Sequence, residues 1–139
     1  MPNWVMNELT CIFETSEEFQ SFKNKVDEKN FYNSFVPMPE ILVDTQSPHI
    51  APGDFINSVN KSKGTNFLTL ESIALSSDEW DAERAKSIIK NIKAFEETGY
   101  HDWHSWCMDN WGVKWDAVNC KSKELLHFNT IVYSFNSPW

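Results

Sequence analysis

Apolar residues alternate at both ends of this chain and recur at helical spacing in between, so strands and helices must both be present. In residues 3–14, Val5, Asn7, Leu9, Cys11 and Phe13 fall on one side, and Trp4, Met6, Glu8, Thr10 and Ile12 on the other. This reads as a first strand with one face buried. Toward the other end, VKWDAVN and LLHFNTIVYSF alternate around the polar run KSKE, which predicts an antiparallel hairpin turning at residues 121–124. Leu125, His127, Asn129, Ile131, Tyr133 and Phe135 would share one face of the second strand, opposite Leu126, Phe128, Thr130 and Val132.

Helix signals fill the middle. Thr15 and Glu18 have capping-box spacing, and Phe19, Phe22 and Val26 follow at helical intervals up to about Lys29. Phe31 to Val36 reads as a short extended piece. Two prolines then mark a connector, with Pro39 suited to the first turn of a brief helix. Residues 44–66 are rich in Ser, Asn, Pro, Gly and Lys and predict a mobile loop with at most one helical turn at 54–59. FLTLESIAL, residues 67–75, fits a helix or a strand, leaning to helix. Ser76 and Glu79 suggest a second capping box, opening a long helix over 77–98 with Trp80, Ala85, Ile88, Ile89, Ile92 and Phe95 on its apolar stripe, stopped by Gly99. A shorter helix is expected over 102–111, closed by Gly112. Nothing marks a second domain, so residues 1–139 read as one.

The 139 residues suit one ordinary core, and 20 acidic against 12 basic residues give a formal charge of −8. Each half, 1–70 and 71–139, carries −4, and with no basic stripe, direct nucleic-acid binding is not expected of this surface. No apolar run reaches the ~20 residues of a membrane span. The opening MPNWVMNELTCIF lacks a basic start and an apolar core, which predicts a cytoplasmic protein whose Cys11, Cys107 and Cys120 stay as thiols.

Four of the seven tryptophans crowd into DWHSWCMDNWGVKWDA. Trp103, Trp106, Trp111 and Trp115 read first as anchors that bury a large ring and satisfy the indole N–H, clamping a helix onto a β-layer. The rival reading lines a groove with them for a partner or ligand, since Trp dominates binding hot spots. Lys114 and Asp116 alternate with Trp115 on the expected strand, so they join the candidate binding residues, against a plainer role in a sheet-surface ion pair or turn.

The motifs PNWVMN at 2–7, FVPMPEIL at 35–42, DWHSWCMDNWGVKWDA at 102–117 and FNSPW at 135–139 occur in an order that resembles one family. This is the ferredoxin-like domain family of phages, plasmids and integrated elements, named after a protein of an aphid-endosymbiont phage. The stretch 44–98 between these anchors matches only weakly. The resemblance implies an α+β fold: a ferredoxin-like antiparallel sheet of βαββαβ type packed by helices, here with a helical insertion. The family usually continues past the last motif into a further helix and strand, so this chain is expected to lack the last α–β unit. That would leave an open sheet edge, inviting a homodimer or another partner. The family carries no established activity, and three scattered cysteines could not supply an iron–sulfur cluster.

Chemistry in the cluster is the weaker reading. His101, His104 and Cys107 could ligand zinc with Cys120 or His127, but steps of three rotate around a helix, and no metal or other cofactor is expected. Cys107 with His104 as base, oriented by Asp102 or Asp109, lacks an oxyanion motif or Gly-rich nucleophile turn. Asp78, Glu79, Asp81 and Glu83 read as a solvated helix N-terminus, and KGT at 63–65 is no phosphate loop. The expectation is a non-enzymatic accessory protein of a phage or mobile element. It would bind a host or element protein, a basic one by charge, with inhibition of a host or defence protein as its extension. A small-ligand module with a Trp-lined pocket is the alternative, and a metal- or Cys-dependent enzyme comes third.

Overall fold

In a computed structural model, which describes residues 3–139, the alternation at the two chain ends becomes one three-stranded antiparallel sheet in the order β1-β3-β2. The strands are β1 (Trp4–Ile12), β2 (Val118–Leu125) and β3 (Thr130–Pro138). With the helices α1 (Ser16–Lys25), α2 (Pro52–Lys63), α3 (Leu70–Ala74), α4 (Glu79–Thr98) and α5 (Trp103–Asn110), the fold is α+β. Packing groups the described residues into two compact units. One holds the residues up to Met38 together with Cys107–Trp139, and the other holds Pro39–Trp106.

The first unit is the sheet with α1 on one face. Thr15 Oγ accepts the N–H of Glu18, and the Glu18 carboxylate accepts the N–H of Thr15, so the capping box forms as read. Phe19, Phe31, Ala117, Ile131 and Tyr133 are buried together, joined by Cys11, Phe13, Phe22 and Phe135. Phe31 sits 4.6 Å from Phe135 and 5.1 Å from Tyr133, ring centre to ring centre. Ile131, Tyr133 and Phe135 thus share the inner face of β3, as alternation requires.

Four local expectations fail in this unit. The helix ends at Lys25, not Lys29, because Val26 leaves helical geometry. Phe31–Val36 is not extended: Ser34 and Val36 donate to the carbonyls of Asn30 and Tyr32, two overlapping helical turns. The hairpin turns at Leu126–Asn129 instead of KSKE, since Asn129 accepts the left-handed φ of 43° that the turn needs and β2 runs through the lysines. Residues 113–117 are therefore outside the strand. Finally, β1 buries little of either face, because it lies at a sheet edge; only the side chains of Asn7 and Cys11 are half-buried along it.

The second unit is helical. Residues 52–63 form a full helix where a loop was expected: Pro52 takes the first-turn position, and Gly64 closes the helix at φ 65°. Phe55 and Val59, four apart, meet Leu70, Ile73, Ala85 and Ile88 in the core. Residues 70–74 are helical, capped by the Thr69 hydroxyl. The long helix α4 ends at Gly99 as read, but Asp78, not Ser76, caps it by accepting the N–H of Asp81. Its buried stripe is Ala82, Ala85, Ile88, Asn91 and Ala94, which leaves Trp80 and Phe95 exposed. Asn91 is buried because its amide both accepts from and donates to the main chain of Gln46.

Candidate functional site

The tryptophans of the rich segment take different positions. Trp106 is 5% exposed, while Trp103, Trp111 and Trp115 are half-buried. The Trp111 indole N–H donates to the Val36 carbonyl at 2.9 Å and its ring lies 6.0 Å from Tyr32. Trp115 meets the edge of Trp4 at 6.1 Å. The most exposed indoles lie elsewhere, at Trp80 and Trp139.

Lys114 and Asp116 do not pair. Asp116 accepts the main-chain N–H groups of Tyr32, Asn33 and Ala117, so it fixes the turn at 31–35 and its own loop. The Lys114 ammonium donates to the Trp139 main-chain oxygen at 3.0 Å. Lys114 lines a cleft of about 440 Å³ with Asn3, Met108, Gly112, Val113, Pro138 and Trp139. Of the candidate binding residues, Lys114 alone reaches it.

Histidine 101 joins a different group from the zinc set. Its ring stacks on Phe95 at 4.1 Å and on His49 at 4.3 Å, and His49 Nδ1 lies 3.6 Å from a carboxylate oxygen of Asp102. Asp102 is 2% exposed and caps α5 by accepting the N–H of Ser105. Burial works to raise the Asp102 carboxyl, but hydrogen bonds from Ser105 and His49 outweigh it and leave it below its ordinary value. Burial, then the neighbouring His49, lowers His101. His104 instead meets Trp103 edge-on, and Cys107 is buried. Among the described residues, no three His, Cys, Asp or Glu side chains converge as a metal site. Nothing in the sequence joins His49 to His101, because the fold alone brings them together.

The surface that sequence reasoning underrated is β1 and the outer face of the sheet. Met6 is 87% exposed and Ile12 75%. Asn3 and Trp139 exchange both main-chain hydrogen bonds, so by antiparallel alternation the odd residues of β1 bond β3. The N–H and C=O groups of Met6, Glu8, Thr10 and Ile12 therefore point outward from the sheet. The other edge is blunted: β2 carries Lys121 and Lys123 and breaks register between Val118 and Lys121, where Asn119 takes a φ of 55°. Along β1 there is no lysine, proline or bulge. Every charged side chain from Trp4 to Glu18 is acidic: Glu8, Glu14, Glu17 and Glu18.

Comparison with protein-family models, with curated proteins and with solved structures returns no match. Among the described residues, no helix is long and apolar enough to cross a membrane.

Proposed function

We propose that the protein is a binding accessory protein of a phage or mobile element that takes an extended, basic segment of another protein alongside β1. The observation that carries this reading is the contrast between the two sheet edges. Edge strands are normally blunted by lysine, proline or a bulge, as β2 is. The nine residues of β1 keep their outward main-chain groups free of such devices. A strand added there gains main-chain hydrogen bonds, and the acidic run through Glu18 together with the overall −8 charge favours a Lys/Arg-rich partner.

The ferredoxin-like expectation supports the same place. β1 and β2 run the same way on either side of the antiparallel β3, with α1 following β1, which is a split β-α-β arrangement interrupted by the helical unit. In a ferredoxin-like sheet the next strand would join at the β1 edge. Phage or mobile-element setting, cytoplasmic location and the absence of catalysis belong to the same reading.

Thr10→Pro provides the test, because it removes an outward N–H without touching the ladder to β3. Wild-type protein and the variant would each be titrated with a panel of extended Lys/Arg-rich peptides by calorimetry. Binding by the wild type, lost in a folded Thr10→Pro, supports strand addition. No binding to any basic peptide, or equal binding by both proteins, removes it.

The cleft at Lys114 favours a second reading, a small-ligand module. There a metabolite would raise the melting temperature with concentration, and Lys114→Ala would abolish the shift.

A further inference from the structure

We infer that the outer face of the sheet is a self-complementary surface that seats a second copy of this chain, with a two-fold axis along β3. This goes beyond strand addition, which uses the main chain at the rim and not the side chains of the face. The register sets out the face row by row. Met6, Asn136 and Val118 form one row, and Glu8, Ser134 and Lys121 the next. Thr10, Val132 and Lys123 follow, then Ile12, Thr130 and Leu125. Trp115 lies against Trp4, beyond the first of these rows.

Two such faces can be stacked about two axes in the plane between them. An axis across the strands lays β2 on β2 and brings the lysines of one copy onto those of the other, which is unfavourable. An axis along β3 lays β1 on β2 of the second copy, keeping each row at its own level. Glu8 then faces Lys121, Ile12 faces Leu125, and Met6 faces Val118, each pair occurring twice. Sheets packed in this way lie about 10 Å apart, a gap that Glu and Lys side chains span together. The match in charge and apolarity is what commits the face to a second copy. Thr130 is buried, and the eleven other side chains per copy fall short of the 20–30 residues of a standard interface, so the dimer should form on the order of 10–100 μM.

Sedimentation equilibrium over a range of concentrations, with folding checked by circular dichroism, tests this. The wild-type mass should rise from 16.2 kDa toward twice that value. Glu8→Lys and Lys121→Glu should each raise the dissociation constant by about tenfold or more. An equimolar mixture of the two variants should return to wild-type association, because both crossed pairs are again opposite in charge. Ile12→Glu gives a third probe at the apolar end, where association should also be lost. A wild type that stays at 16.2 kDa up to about 1 mM overturns the inference. So does a dimer that both charge variants leave unchanged, which would indicate edge pairing, or a mixture that recovers nothing.

Discussion

The Asp116 carboxylate accepts the main-chain N–H of Tyr32 at 2.7 Å, joining two residues 84 positions apart. The same side chain takes the N–H groups of Asn33 and Ala117, so one residue supplies acceptors to three donors that no helix or ladder serves. Asp116→Ala should lower stability by about 2–4 kcal/mol, because the lost bonds are charge-assisted and the donors are left part-buried. Asp116→Asn, which keeps one acceptor, should lose roughly half as much. Urea midpoints of the three proteins check this. A neutral Asp116→Ala would return the residue to the set available for recognition.

The tryptophan segment divides the same way. Trp106 is 5% exposed, and Trp106→Ala should cost about 3–5 kcal/mol. Trp115 is half-buried against a half-exposed Trp4, so its loss should cost nearer 2 kcal/mol, part of it from the edge-on ring pair. Thermal or urea unfolding of both variants orders them. The reverse order would mean that Trp115 anchors the core and Trp106 does not.

What could be read from the residues was whatever local chemistry decided. The Thr15 box, the stop at Gly99 and the inner face of β3 needed only neighbours within a few positions. The helix at 52–63 was lost because Pro52 and Gly53 look like loop punctuation, although proline also opens helices and Phe55 and Val59 sit one turn apart. β2 was misplaced for a different reason. Its middle, Lys121–Lys123, is exposed on both faces and displays no alternation, so the lysines passed for a turn. The exposed β1 needed the strand order, and the His49 stack needed contacts over about fifty residues. Neither leaves a periodic trace.

The stacked imidazoles give stability a pH dependence. His101 titrates below its ordinary value of 6.5 because burial and His49 disfavour the charged ring, with Asp102 pulling the other way and Phe95 covering the far face. The unfolded chain then binds more protons than the folded one below pH 6.5, so stability is full above 6.5 and falls as pH drops from there through the folded value. Asp102 is held below its ordinary 3.8, and its contribution, present above that pH, fades only at lower pH still. Urea midpoints between pH 7.5 and 5 should decline for the wild type and stay flatter for His101→Gln. Identical slopes would show that the ring does not titrate in this window.

Thiol reactivity separates a buried hydrophobe from a nucleophile. Cys107 is 1% exposed, and burial pushes the Cys120 thiol up to about 11, with the carboxylates of Glu28 and Asp116 adding to it. Burial raises Cys11 as well. At pH 8 a thiol titrating near 11 is ionised in on the order of one molecule per thousand, and only the thiolate attacks. Native protein should therefore react with a disulfide reagent far more slowly than free cysteine, and all three thiols should become titratable in denaturant. The site to watch is Cys107, for which sequence spacing offered His104 as the base. If native Cys107 were alkylated faster than free cysteine, and His104→Ala slowed it, the pair would be an activated nucleophile and binding alone would no longer describe the protein.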